Sequence, residues 1–458
     1  MENNIDKIHI YHTNDIHSHF ESWPEISRFL QSRKSLHESA EESCFVFDIG
    51  DYVDRSDPFT EATNGKGNVE LLNRAGYDAV TIGNNEGITM SHDALTSLYK
   101  DAQFDVILGN LFKDNGERPE WLVPYKLYST ANGTKVGIIG ATAEYQLFYS
   151  KLGWQITPPR EQLKKLAEQI KGETDLLICL SHMGIGEDER LANECNCIDV
   201  ILGAHTHHLF HEGKQINNSL LAATGKYGEY VGHVTIEYNC ATHQINHQEA
   251  KLYQTELLEK STIDREDFIY LMEIGKGRLT EPVFYNPKQM PRKLFSDGPL
   301  TSFFSKALLS YTKADCVMFN AGIFLDDLEE GWVTRGDLHS ILPHPINPCT
   351  ITLDGADLAE VYELSLNEDL PDIQVRGLGF RGAQMGAMIR ERLYKDGEGQ
   401  LFAGNQKVVA GQNYTLATLD MFTFGFFFPS LKDAEIEYYM PELIRDVFGW
   451  YGMEHFKH

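Results

Sequence analysis

The sequence predicts a layered α/β protein built as two domains, and three observations carry that expectation. Short apolar or β-branched runs recur through the first half, most of them followed by Gly, Asn, Asp or His. Helical patterns lie between them, and 458 residues exceed an ordinary single domain. The runs are Ile8–Tyr11, Cys44–Phe47, Ala79–Ile82, Val106–Leu108, Lys135–Ile139, Leu176–Leu180 and Val200–Leu202. Unbroken apolar runs of this length are the pattern of strands buried on both faces. Helices are expected over Pro24–Leu36, Gly67–Ala75, His92–Lys100 and Arg160–Lys171, the last opening after Pro158 and Pro159 as a helix start should. In such a sheet, ligand-binding side chains belong outside the carboxyl ends of the strands, and that is where histidines, aspartates and asparagines stand here.

From Tyr227 to Ile245 the pattern turns to alternation, as in YVGHVTIEY, which predicts strands closing the first domain. A polar stretch from about Gln248 to Leu279 has helical tendency. The later segment mixes patterns again, with Leu300–Tyr311, Asp357–Leu366 and Tyr414–Leu419 as elements. The expected division is a first domain over 1–250, a linker and bridging helix over 251–290, and a second domain over 291–458.

Charge and composition exclude several classes. With 67 acidic against 40 basic residues the formal charge is -27, and no basic block is present to hold a polymeric nucleic acid. Phosphate chemistry on such a chain needs local positive charge from metals or arginines. Seven cysteines without repetitive spacing do not form a disulfide framework, and the close pair Cys195 and Cys197 lacks a second pair for a metal site. No apolar run is long enough to span a bilayer, FTFGFFFP included, so no membrane partner is expected. The start MENNIDKIHIYH enters a strand pattern without a secretion signal, which gives a cytoplasmic expectation.

Five short segments after the predicted strands carry the chemistry: DIH at Asp15–His17, GD at Gly50 and Asp51, GNNE at Gly83–Glu86, SH at Ser181 and His182, and GAHTH at Gly203–His207. Together they offer hard oxygen and borderline imidazole ligands in the number a two-ion site needs. If Asp15 and His17 lie in an extended segment, their side chains point to the same side, and His205 and His207 obey the same rule. Asp51 has two oxygens with which to bridge a pair of cations. Asn84 offers an amide oxygen and His182 an imidazole.

These segments, with HTNDIH at His12–His17, resemble the calcineurin-like metallophosphoesterases, and more closely the two-domain 5'-nucleotidase family. The resemblance implies a four-layer α/β/β/α catalytic domain followed by a smaller mixed α/β substrate-recognition domain. It implies one ion held by Asp15, His17, Asp51 and His207, and a second by Asp51, Asn84, His182 and His205. Mixed O and N ligands fit Mn or Zn, with Fe or Co as further options, and disfavour Mg and Ca. Two ions would lower the pKa of a shared water for attack on phosphorus. The implied activity is metal-dependent hydrolysis of a phosphate ester in a nucleotide or nucleotide-derived metabolite. The alternatives are a phosphodiester or pyrophosphate hydrolase, or a metal-dependent nucleotide-binding protein with weak turnover.

The chain departs from the family in one motif. Where the family has GNHE followed by an aromatic residue and Asp, this sequence reads GNNEGI, with Asn85 in place of the catalytic His and Ile88 in place of its Asp partner. Asn85, with Asp51, is taken as the catalytic position; an amide donates a hydrogen bond but cannot donate a proton near neutral pH. His19, His92 and Glu86 are substitutes for that proton transfer. In the second domain, NAGIF, GWVTRGDL, LPHPIN and LDGADLAEVYE resemble the family's substrate-recognition domain, although Phe324 stands where members generally have Arg. Phe380, Phe426 and Phe428 are candidates to clamp a flat base, and Arg376 and Arg381 to contact a phosphorylated substrate.

Overall fold

The computed structural model describes residues 5–456. The chain divides into two compact units between Gly275 and Lys276. The first carries strands β1 (Ile5–Thr13), β2 (Ser43–Asp48), β3 (Ala79–Val80), β4 (Asp105–Val106), β5 (Leu111–Lys113), β6 (Tyr125–Ser129) and β7 (Lys135–Thr142). They are followed by β8 (Trp154–Ile156), β9 (Leu176–His182), β10 (Val200–Gly203), β11 (Lys214–Ile216), β12 (Ser219–Ala222), β13 (Tyr230–Asn239) and β14 (Gln244–Gln254). Two six-stranded sheets result, in the orders β14-β13-β1-β2-β3-β4 and β11-β12-β10-β9-β7-β6. All seven expected runs are strands, and the central ones pair in parallel.

The runs are continuously apolar because each sheet is covered twice. Alternate residues of one strand face opposite sides. Ile8, Ile10, Phe45 and Phe47 of the first sheet pack with Val136, Ile138, Ile178, Leu180, Val200 and Leu202 of the second, forming the core between the sheets. The intervening Ile139, Leu177, Cys179 and Ile201 face the other way, onto Leu163, Leu166 and Ile170 of the helix Pro159–Ile170 and Leu191 of the helix Ile185–Glu194. On the outer face of the first sheet, Tyr11 meets Phe29 of the helix Trp23–Ser39 edge-on. The expected α/β/β/α layering is the layering found.

One expectation fails. Residues Gln248–Gln254 are not helical but complete β14, which pairs with β13 along its length. One face of β14 is open, so its side chains are polar without helical spacing. The helix of this region begins later, at Thr262, and runs to Lys276.

The outer face of the first sheet also gathers His9, His37 and His233 within reach of one ion. Their rings argue against that use. His9 and His37 stack with centroids 3.7 Å apart and planes 20° from parallel, whereas an imidazole lone pair lies in the ring plane, so one ion cannot satisfy both. The cluster is instead a hydrogen-bonded chain. His9 Nε2 and His37 Nδ1 donate to Glu42 Oε2 at 3.0 and 2.9 Å, His233 Nε2 donates to His9 Nδ1 at 2.9 Å, and Tyr11 donates to His37 Nε2 at 3.1 Å. Burial pushes His9 down to about 4 and His233 down to about 3, which keeps these two rings neutral.

The second unit is built on a five-stranded sheet ordered Met388–Glu391, Cys316–Asn320, Asn413–Leu419, Pro348–Asp354, Glu435–Tyr438. The expected helices and strand appear as Pro299–Thr312, Gly355–Leu364 and Asn413–Leu419. Phe324 is buried beside Phe304 and Phe448. Asp420, just past the strand Asn413–Leu419, is buried and ties the backbone of Asn347, which donates to its Oδ2 at 2.9 Å.

Burial pushes the Asp420 carboxyl up to about 7. A folded-state pKa above the unfolded value means the folded chain binds more protons between the two, so this contribution falls as pH rises through that window. Asp420→Asn keeps an acceptor for Asn347 and removes the titration. The variant is expected to melt higher than wild type at pH 8 and to lose that advantage toward pH 4, at on the order of 1 kcal/mol per pH unit. Thermal melts of both proteins across this range check it.

Candidate metal centre

The five segments converge at the carboxyl ends of β1, β2, β3, β9 and β10. The loop after β1 runs beside the loop after β2: the N–H groups of Asp15, His17 and Ser18 donate to the carbonyls of Gly50, Asp51 and Tyr52 at 3.0, 2.7 and 3.0 Å. Neither DIH nor HTH is extended. Asp15, His17, Asp51, His205 and His207 have φ of 51°, 49°, 52°, 73° and 54°, so alternation along a strand is not what brings each pair together. Left-handed backbone costs a non-glycine residue roughly 1–2 kcal/mol, and such outliers cluster where a site over-determines them.

Two groups of ligating atoms form. Asp15, His17 and His207 make one, and Asp51, His182 and His205 the other. In the first, His17 Nε2 lies 3.3 Å from His207 Nε2 and 3.8 Å from Asp15 Oδ1, and His207 Nε2 lies 3.6 Å from Asp15 Oδ1. The Asp51 Oδ2 atom stands between the groups, 3.6 Å from His17 Nε2 and 3.4 Å from His182 Nε2. His182 Nδ1 donates to the Ile49 carbonyl at 2.7 Å, which turns Nε2 to the ligand group. Asn84, first residue of the helix Asn84–Thr89, offers Oδ1. Asn84 Oδ1 and His182 Nε2 are buried with no hydrogen-bond partner. Orphaned polar atoms of that kind are costly unless something binds them, and an oxygen and a nitrogen donor suit a divalent ion of mixed O/N preference.

Asp15 and Asp51 are 0% and 2% exposed. Burial pushes Asp15 up to about 6, with Asp51 adding to the push and His182 and His17 opposing it. Burial acts on Asp51 in the same sense, but His182 and His17 outweigh it and hold this carboxylate below the ordinary range. His205 and His207 are each lowered to about 4 by burial, helped by His182 and His17 respectively, and so keep lone pairs to donate. Glu86 is pushed up to about 7 by burial and by Asp51, and its carboxylate accepts the N–H groups of Asp51, Val53 and Gly83 at 3.0, 2.8 and 2.8 Å. It therefore builds the loops. His92 stacks on Trp154, and His19 stacks on Tyr227.

Asn85 lies inside the site, with its carboxamide 2.8 Å from His17 Nδ1. Two further residues had no signal in the spacing of the sequence. Asp54, buried, places Oδ2 3.4 Å from His17 Nδ1, and the Tyr145 hydroxyl lies 3.4 Å from His205 Nε2. In the second unit Phe380 is buried with its ring parallel to that of His344, 5.0 Å away. Phe428 is fully buried, Phe426 is 75% exposed, Arg376 is exposed, and the backbone N–H of Arg381 donates to His344 Nδ1 at 2.8 Å.

Comparison with known proteins agrees with this architecture. Residues 8–209 match the calcineurin-like phosphoesterase model, and residues 277–425 match the 5'-nucleotidase C-terminal domain. The metallophosphoesterase YunD of Bacillus subtilis is 40% identical over 456 residues, covering 97% of this chain and 99% of its own. Among solved structures, a 5'-nucleotidase-like protein of Staphylococcus aureus superposes with a TM-score of 0.71 at 18% identity, covering 97% of this chain and 96% of its own. The NAD nucleotidase of Haemophilus influenzae gives 0.67 at 15% identity, over 99% and 97%.

Gly83 tests the packing of the centre. A Cβ there would collide with Oδ1 and the backbone nitrogen of Asp51. Gly83→Ala should therefore displace Asp51 and weaken binding of Mn²⁺ by roughly 10–100-fold, the scale set by loss of a ligand's support. Calorimetric titration of the folded variant and wild type with Mn²⁺ measures it.

Proposed function

The chain belongs to the calcineurin-like phosphoesterases that carry a 5'-nucleotidase C-terminal domain, and from that footing we propose that it hydrolyses the phosphate ester of a nucleotide or nucleotide-derived metabolite. Metal-dependent phosphoesterase activity itself follows from the family and the two ligand groups. The observation that carries the reading is Asp51 Oδ2, buried midway between the imidazoles of the two groups.

The ligand assignment belongs to the same proposal. Asp15, His17, Asp51 and His207 would hold one ion, and Asp51, Asn84, His182 and His205 the other; Mn and Zn suit these donors best. Two divalent ions held by these residues would supply the positive charge that draws in phosphoryl oxygens and would lower the pKa of a water for attack on phosphorus. The protein's own part is geometric. Asp51 is aimed by the N–H of Asn85, which donates to Oδ1 at 2.8 Å and leaves Oδ2 turned to the rings. Asp15 is fixed by N–H donation from His205 at 3.0 and 3.2 Å and from Asn14 Nδ2 at 2.8 Å. In the second unit, Phe380, Phe426, Phe428, Arg376 and Arg381 remain the proposed substrate-recognition residues, and the exposed ring of Phe426 is the one best disposed to meet a base.

A second reading is favoured by one feature. Asn85 and Ile88 supply no proton donor for an alkoxide, so a phosphodiester or pyrophosphate linkage, with a weaker base as leaving group, is the alternative substrate. A nucleotide-binding protein with weak turnover is the remaining alternative. A cytoplasmic location belongs to the proposal and is supported by seven unpaired cysteines, as in a reducing compartment. Among the described residues no helix is long and apolar enough to cross a membrane.

Phosphate release by the Mn²⁺-loaded protein is expected from nucleoside monophosphates, to vanish after chelation, and to return with Mn²⁺ or Zn²⁺. Asp51→Asn should lower kcat by at least roughly 10²-fold, the scale of removing one charge-stabilising group. Release of p-nitrophenol from bis(p-nitrophenyl) phosphate with no phosphate release from monophosphates would favour the second reading, and metal-dependent nucleotide binding without hydrolysis of either would refute both.

A further inference from the structure

Asn85 stands where the resemblance implies a histidine, and its backbone N–H, its backbone carbonyl and one atom of its carboxamide are engaged within the site. Its N–H donates to Asp51 Oδ1 at 2.8 Å, its carbonyl accepts from Thr89 Oγ1 at 2.6 Å, and its side-chain Nδ2 lies 2.8 Å from His17 Nδ1. The residue is only 7% exposed. The carboxylate that would partner an imidazole here is replaced by Ile88.

His17 needs such a neighbour. Its Nε2 faces Asp15, Asp51 and His207, at 3.8, 3.6 and 3.3 Å, so Nε2 is the atom turned to the ligand group. A neutral imidazole has one N–H and one lone pair, and a lone pair on Nε2 requires the proton on Nδ1. That proton must meet an acceptor in a buried site. His182 solves the same problem with the backbone carbonyl of Ile49. At His17 the neighbours of Nδ1 are the Asn85 amide and, at 3.4 Å, Asp54 Oδ2. The amide is the closer; Nδ2 stands at that point, and a half-turn about the Cβ–Cγ bond puts Oδ1 there instead with no change of shape, which is the orientation a proton on His17 Nδ1 requires.

Building on the ligand set above, we infer that Asn85 is a positioning residue: its amide oxygen accepts the Nδ1 proton of His17 and holds Nε2 toward the metal site, instead of contacting substrate. The position keeps its place in the fold and changes its object from the substrate to a ligand. Loss of the Asp partner at Ile88 then follows, because an amide has no charge to be stabilised.

The test compares Asn85→Leu, which has no acceptor, with Asn85→Asp, which has only acceptors, by calorimetric titration of folded, metal-stripped protein with Mn²⁺. The expected result is a loss of roughly 10–100-fold in affinity for one ion in Asn85→Leu, with affinity retained in Asn85→Asp. In Zn²⁺-loaded wild type, nitrogen NMR should find His17 protonated on Nδ1. Unchanged affinity for both ions in Asn85→Leu, an equal loss in both variants, or a proton on Nε2 would each overturn the inference. A fall in kcat or rise in KM with unchanged metal affinity would do the same, by assigning Asn85 to the substrate. If Asn85→Leu does not fold, Asn85→Ala gives the same comparison. Wild-type stoichiometry judges the two-ion reading separately, since fewer than two ions would refute that reading and leave the His17 tautomer to decide this one.

Discussion

Two carboxylates removed from water within a few ångströms of each other repel, and nothing in a protein interior of low dielectric relieves them except positive charge brought close. Asp15 and Asp51 are in that position, both buried, each influencing the other's ionisation. Against the pull of burial, His17 is raised by Asp54 together with Asp51 and Asp15, and His182 by Asp51 and Asp15, so that positive charge on these imidazoles offsets part of the repulsion. Divalent ions would offset all of it and free the imidazoles to act as neutral donors. The surrounding loops keep the acids where they repel. Glu86 draws three backbone N–H groups onto itself, and Asp48 beneath them accepts from Thr13 at 2.6 Å and from Gly50 N–H at 3.0 Å. The overall negative charge of the chain makes a local concentration of positive charge the condition for drawing in a phosphorylated molecule.

The sequence disclosed the parts of this arrangement that depend on burial and chain order. Continuous apolar runs could only be strands covered on both sides, and the polar residues at their ends could only be at the sheet's carboxyl edge. Its silence began where the backbone departs from regular structure. Asp15 and His17 read as neighbours on one side of an extended segment, whereas each adopts a left-handed turn held by the loop after β2. No pattern of side chains announces such a turn. Asp54 and Tyr145 were invisible for a related reason: each reaches a ligand across the fold from a loop whose spacing carries no periodicity. The strand ending at Gln254 resembles a helix in the sequence because an open sheet face and a surface helix are both polar.

Buried histidines alone do not identify a metal site, and this chain contains the control. His9, His37 and His233 come as close together as the proposed ligands do. Their rings, however, are stacked, and every ring nitrogen except His233 Nδ1 is engaged by Glu42, Tyr11 or another ring of the cluster. At the strand ends, unpartnered ligand atoms come from two different residues in one site, the nitrogen of His182 and the oxygen of Asn84.

The left-handed conformations of Asp15, His17, Asp51, His205 and His207 have a thermodynamic consequence. Much of the unfavourable conformational entropy of assembling the donors is met when the sheets fold, through backbone hydrogen bonds that involve no ion. The donors thus belong to loops tied to the sheets by hydrogen bonds of their own, unlike small domains whose folding and metal binding are one event. In a cradle tied down in this way, affinity for an ion would be governed by electrostatics and desolvation more than by chain ordering.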